Sequence, residues 1–153
     1  MSSSSAPPPE TKVFRLPPNC LLILFLTNFS TKKFTTFYSK YVKGKLHATN
    51  ARTAEMCKLV ENSSRDAQIA FANELSMVAH QAEVNIWELI DLINLHPRVN
   101  VLQPGPGVGG HCIPVDPYFL TYKAKQLGVN TKFIKLAGQI NDERPIEISN
   151  TIG

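Results

Sequence analysis

"GPGVGGHC", residues 105–112, decides how this chain is read. It sets Gly105, Gly107 and Gly110 in the G-x-G-x-x-G spacing of a dinucleotide-binding loop, and Cys112 follows two residues later. A dinucleotide loop must leave a buried strand and open directly into a helix, so that helix N–H groups meet the pyrophosphate. Here Pro104 and Pro106 interrupt the approach, Pro114 and Pro117 follow, and no βαβ pattern surrounds the stretch. The cofactor reading fails on that context. Two readings are left: a loop whose glycines permit positive φ and close approach of a ligand, or an ordinary connecting turn.

Cys112 separates them. It lies on the loop, four residues before Asp116, rather than on the apolar face of a regular element. A loop thiol near helix N–H groups is a candidate nucleophile. Cys57, and more weakly Cys20, fit the plainer part of a buried apolar cysteine.

The text on either side is helical. From Asn50 to about Glu83 apolar residues recur at Met56, Leu59, Val60, Ala67, Ala70, Phe71, Leu75 and Val78, with no Gly or Pro. That predicts one long helix of about eight turns, capped by Asn50 or Thr53. "NIWELIDLINLH" (85–96) predicts a second, with Asn85 and Glu88 at capping-box spacing, a stripe of Ile86, Leu89, Ile90 and Ile93, and Pro97 as its end. A third opens at Asp116 as N-cap with Pro117 first in the helix, and stops at Gly128. A fourth is expected over about 131–143, ending near Pro145, and a fifth from Ile146. The expected fold is mainly α: an all-helical module with one long helix over residues 37–153. Before it, residues 1–36 are an unassigned low-complexity segment with a poorly ordered, Ser/Pro-rich leader. Within that segment, "LPPNCLLILFLTNFSTKK" suggests a short strand followed by turn residues.

Composition narrows the function classes. The chain has 153 residues, 43% hydrophobic content and a net charge of +4, which suits one globular domain with a tail. Residues 1–52 carry eight Lys/Arg against one acid, whereas residues 53–153 carry eight against eleven. The folded part lacks the basic face a nucleic-acid binder needs. Three cysteines without a CxxC pair argue for a reducing compartment. The apolar run "CLLILFL" (20–26) is far shorter than the ~20 residues of a membrane span, and it makes a poor signal peptide. A cytoplasmic protein with no membrane partner is expected. No second His or Cys stands at ligand spacing from His111, so no metal is expected, and His111 itself is read as packed or hydrogen-bonded.

"TAEMCKLVENSSRDAQIAFANEL", "HPRVN", "QPGPGVGGHCIPVDPYFLTYKAK" and "FIKLAGQINDERP" occur in one order. In these motifs the chain resembles the UDP-glucose/GDP-mannose dehydrogenases, the nucleotide-sugar 6-dehydrogenases. Its wording is nearest the branch acting on UDP-N-acetylhexosamines such as UDP-N-acetyl-D-mannosamine. The resemblance covers about three quarters of the chain and matches the family's helical central domain, which dimerises. The NAD-binding Rossmann domain and the UDP-binding domain have no counterpart here, which implies that the fragment alone is inactive.

The resemblance implies a chemistry. The family oxidises the C6 alcohol of a UDP-sugar to the uronic acid with NAD, in two steps on one carbon. A thiolate that forms a thiohemiacetal and then a thioester keeps the aldehyde from escaping. Cys112 resembles that nucleophile. Lys58 resembles the cation that stabilises charge on the reacting oxygen. Asn62, one helical turn on, resembles the asparagine that orients substrate and water. Asp116 resembles the aspartate that assists hydrolysis. Arg98 resembles an arginine offered to the sugar nucleotide, often across the dimer interface, and Gly109 and Gly110 let substrate approach the backbone. The expected partners are a UDP-sugar and a second copy paired through the long helix, whose Phe71, Leu75 and Val78 would serve core and interface alike. The alternative is a catalytically inactive fragment that serves only as a dimerisation module.

Overall fold

The computed structural model describes residues 22–25, 28–44 and 46–152. The chain divides into two compact units, Met1–Ala54 and Glu55–Gly153.

In the first unit, strand β1 (Leu22–Phe25) leads through helix α1 (Asn28–Tyr38) to strand β2 (Leu46–Thr49). The two strands pair in parallel, with Leu22 opposite Leu46 and Phe25 opposite Thr49. A parallel pair requires a crossover, and α1 supplies it. The short strand at 22–25 is as expected, but a helix follows it instead of turn residues. β2 is absent from the all-helical expectation, since "LHAT" has too few residues to show a period. The expected disorder of the leader and the burial of Cys20 lie outside the described residues.

The fold is otherwise mainly helical, as predicted. Long helix α2 (Ala51–Gln81) has 31 residues, about 46 Å. Asn50 caps it: its Oδ1 accepts from the Thr53 N–H at 2.9 Å. Helix α3 (Ile86–Ile93) starts at the Asn85 cap, whose Oδ1 accepts from Trp87 and Glu88. It ends before Pro97, at Asn94, whose side chain turns back to pair with both N–H and C=O of Val101. Helix α4 (Asp116–Gln126) closes at Leu127, and Gly128 follows with φ +77°, the left-handed residue that ends a helix.

Helix α5 (Lys132–Ile152) continues past Pro145, where the sequence predicts a break. Proline at 145 has no N–H to give the carbonyl of Asn141, its i−4 partner. That carbonyl faces Gly107 instead: a Cβ on Gly107 would lie 2.6 Å from it and 3.5 Å from the Pro145 ring. The loop backbone, bare of a side chain, closes over the interruption.

The second unit's core also departs from the predicted stripe. On α2, Phe71 and Val78 are exposed and Leu75 is half-buried. The buried apolar residues are Ala70, Ala72 and Ala79, with Ile90 on α3 and Ala137 on α5. Beside them Asn62, Ser63, Asp66, Asn73 and Ser76 are buried polar residues. Among the described residues no helix is long and apolar enough to cross a membrane.

Candidate active site

Four of the predicted site residues converge in the second unit. Lys58 and Asn62 stand one turn apart on α2, and the Lys58 ammonium donates to Asn62 Oδ1 at 3.3 Å. Asn62, 7% exposed, donates through Nδ2 to the Asp116 carboxylate at the start of α4. The backbone N–H of Asp116 donates to the carbonyl of Cys112 at 2.9 Å, and that of Val115 to the same oxygen at 3.1 Å. A continuous chain of contacts thus leads from an ammonium through an amide and a carboxylate to the turn that carries an exposed thiol.

Asp116 does not cap its helix. Val115 holds the N-cap position, with no side-chain bond to the helix, and Asp116 is the first residue of α4. Asn62, 54 residues earlier, takes the carboxylate that sequence spacing assigns to the helix N–H groups. Pro117 follows in the first turn, where its missing N–H costs nothing.

Arg98, Gly109 and Gly110 stay outside this cluster. Arg98 is exposed after α3, its backbone N–H given to His96 Nδ1 at 3.3 Å. Gly109 and Gly110 are exposed, and a Cβ on either would meet open space. His111, expected to pack or hydrogen-bond, is exposed and so not packed. Cys57 is half-buried on α2. Among the described residues no group of three or more His, Cys, Asp or Glu could hold a metal.

The sequence reading overlooks a buried polar cluster next to this site. Asp66 is 2% exposed, Asn73 0% and Asn141 3%. Asn141 Nδ2 donates to the Asp66 carbonyl at 2.9 Å and to its Oδ1 at 2.7 Å. Asn73 Nδ2 donates to Asn141 Oδ1 at 3.0 Å, and Asn73 Oδ1 accepts from the N–H of Gly105 at 2.8 Å. Burial raises the Asp66 carboxyl above its ordinary 3.8; the Asn141 bond opposes this and the nearby Asp142 adds to it. Arg144 reaches across from α5 to Ser76 Oγ at 2.7 Å. Asp142 on α5 accepts from the Tyr118 hydroxyl of α4 at 2.9 Å, which holds that phenol above its usual range. A sequence signal existed: 58, 62, 66, 73 and 76 are polar and share one helical face.

Residues 52–143 match the UDP-glucose/GDP-mannose dehydrogenase family, central domain. An NDP-N-acetyl-D-galactosaminuronic acid dehydrogenase of Ralstonia solanacearum is 56% identical over 108 residues, 71% of this chain and 25% of that protein. The UDP-N-acetyl-D-mannosamine dehydrogenase of Escherichia coli K12 is 47% identical over 127 residues, 83% of this chain and 30% of its own length. Among solved structures, a UDP-D-ManNAc dehydrogenase from Pyrococcus horikoshii superposes with a TM-score of 0.79 at 42% identity, covering 86% of this chain and 31% of that one. The chain thus spans about a quarter to a third of the length of these relatives. By sequence motif, by the fold of its helices and by these matches, the chain belongs to the UDP-glucose/GDP-mannose dehydrogenase family.

Proposed function

We propose that this chain carries the thiol centre of a UDP-sugar 6-dehydrogenase that converts the C6 hydroxyl of UDP-N-acetylmannosamine, or a related UDP-N-acetylhexosamine, to the uronic acid. The observation that carries this reading is the Lys58–Asn62–Asp116 chain of contacts ending at the turn that bears exposed Cys112. The names of the relatives above support the substrate class. Residues 37–153 are read as the central domain, within which the matched residues 52–143 fall.

Both oxidations would need NAD as hydride acceptor, and the described residues do not fit it: the glycine loop ends in a turn, and α4 opens only at Asp116. This chain's own residues handle the carbon and its protons. The Cys112 thiolate adds to the C6 carbonyl, so the carbon stays tethered as a thiohemiacetal rather than leaving as an aldehyde. Lys58 places an ammonium beside the oxygen on which negative charge develops. Asn62, fixed between Lys58 and Asp116, orients that oxygen and the hydrolytic water. Asp116 takes a proton from water as the thioester is opened. Arg98 offers a planar, two-pronged donor set to the sugar nucleotide, and Gly109 and Gly110 leave open space in which it can approach the backbone.

A dimer through the long helix is part of the proposal. An apolar groove of about 570 Å³ runs along α2 and α5, with Phe71, Phe133 and Leu136 more than half exposed on it. A second copy covers such a face. The same groove favours the second reading, a dimerisation module without turnover.

The deciding experiment incubates the complete enzyme carrying these residues with a panel of UDP-sugars. The expected result is two NADH released per UDP-N-acetylhexosamine, with Cys112→Ala forming no acid. Uronic acid formed at the full rate by Cys112→Ala refutes the covalent route. No NADH from any UDP-sugar, with a dimer in sedimentation, supports the module.

A further inference from the structure

We propose that Asp66, Asn73 and Asn141 are positioning residues that clamp the glycine loop, and with it Cys112, onto the face of α2 that carries Lys58 and Asn62. The proposal rests on the reading of Cys112 as nucleophile, but the clamp can be tested without turnover.

The direction of each bond in the relay follows from its first member. The Asp66 Oδ1 accepts, so Asn141 must turn its Nδ2 toward Asp66. Asn141 Oδ1 then faces Asn73, which must answer with its own Nδ2. The remaining atom, Asn73 Oδ1, is left pointing at the loop as an acceptor, and the N–H of Gly105 occupies it. A buried carboxyl thereby sets the polarity of an acceptor two residues further along the relay. A buried amide oxygen is costly unless it is bonded, so Asn73 Oδ1 is committed to the loop N–H.

Sterics add a second hold at the same place. Gly107 has φ +111°, and its missing side chain lets it lie against the Asn141 carbonyl that Pro145 leaves without a helical donor. The loop is also tied at its far end, where Asn62 holds Asp116 and the N–H groups of Val115 and Asp116 hold the Cys112 carbonyl. Both ties come from one stripe of α2, at 62 and 73. The thiol between them is therefore referenced to the same rigid helix as the Lys58 ammonium, as chemistry sensitive to small displacements requires. Val108, Pro114 and Pro117 wall a small space with Asp66 and Asn141, so the loop's middle also seats over the carboxyl.

The test uses the 153-residue chain and three variants. Gly107→Ala forces a Cβ into the Asn141 carbonyl while leaving every helix side chain in place. Asn73→Ala removes the acceptor for Gly105. Gly105→Ala is the control, since its Cβ meets open space and its N–H is kept. Amide exchange at Gly105 is read by NMR, and iodoacetamide alkylation of Cys112 is read against Cys57 in the same molecules. The clamp predicts that Gly107→Ala and Asn73→Ala speed Gly105 exchange at least tenfold and move the Cys112-to-Cys57 alkylation ratio at least threefold. Amides of α2 and α5 stay within twofold, and Gly105→Ala matches the wild type throughout. Gly105 exchange unmoved in Gly107→Ala, or loop and helix amides rising together, overturns the proposal. If Asn73→Ala fails to fold, Gly107→Ala decides alone. A released loop combined with full acid formation by Cys112→Ala leaves the clamp standing and refutes only the thiol's catalytic part.

Discussion

Asn141→Ala is expected to cost the second unit about 2–4 kcal/mol. The amide makes three bonds, to the carbonyl and Oδ1 of Asp66 and to Nδ2 of Asn73. All three residues are at most 3% exposed, so water cannot replace the lost partner without opening the core. A buried polar atom stripped of its partner costs about 1–3 kcal/mol. The Asn73 amide and the Asp66 Oδ1 supply the loss, because the Asp66 carbonyl lies in mid-α2 and keeps its helical donor. The carboxyl is a special case. Its Oδ2 already lacks a partner, and without Asn141 it loses the bond that holds its affinity for protons down. Its affinity for protons then rises further, which limits its share. The total is a large fraction of the roughly 5–15 kcal/mol that holds a small domain together. Urea unfolding followed by far-UV circular dichroism measures it, with the slope unchanged and the midpoint lowered. The double variant with Asn73→Ala supplies the sharper check. The two side chains share one bond, so their effects must fall short of additive by about 0.5 kcal/mol or more. A single-variant loss below about 1 kcal/mol, or strict additivity, would refute the relay.

Three further outcomes follow from the same contacts. The folded state holds the Asp66 proton more tightly than the unfolded chain does, so the stability this group contributes is fully present below its unfolded value of 3.8 and is lost as pH rises through its raised folded value. Asp66→Asn keeps an Oδ1 acceptor but cannot ionise, so its urea midpoint relative to wild type should be highest near neutral pH and fall as pH drops toward about 4; a difference independent of pH would contradict this. Asn85→Ala removes the acceptor for the Trp87 and Glu88 N–H groups and should cost about 1 kcal/mol by the same unfolding assay. Lys58→Met in the complete enzyme should slow both oxidations, seen as a lower rate of NADH release at saturating UDP-sugar, while the unfolding midpoint stays near wild type because Lys58 is exposed.

What the sequence disclosed was local. Asn50, Asn85 and Gly128 act on backbone groups within three residues or in their own φ, so their signals survive without knowledge of the fold. Pro104 and Pro106 are local signals too, since they interrupt the strand that a dinucleotide loop needs before it. The site residues on α2 and α4 were legible through motif resemblance, but not through spacing: nothing in residues 62 and 116 reveals that their side chains meet. The errors share one cause. Pro145 ends helices by a local rule, but the loop at Gly107 lies against the carbonyl it orphans. Asp116 has the right side chain for a cap and gives it to Asn62. Hydrophobic periodicity could not tell core from interface for Phe71 and Val78, and both face outward, while Asp66 and Asn73 go inside because Asn141 is there to meet them, 75 and 68 residues on.

That inversion on α2 is the physical reason a helix so poor in large buried side chains can serve as the frame of a reactive site. Dispersion and apolar burial are nearly indifferent to a small rotation of one surface against another, whereas a hydrogen bond weakens steeply with angle. An apolar seam between α2 and α5 would hold the helices together and still leave Gly105 without a designated acceptor. The buried amides restrict the seam to one register, because each accepts and donates in an order fixed by Asp66. The same stripe continues into Asn62 and Lys58 at the spacing of one turn, so the register set in the core is inherited by the groups around Cys112 without passing through any flexible element. The alanines at 70, 72 and 79, which flank the polar residues, contribute little burial of their own. Large side chains there would compete for the volume that the amides need, and the geometry of the site would then depend on packing alone.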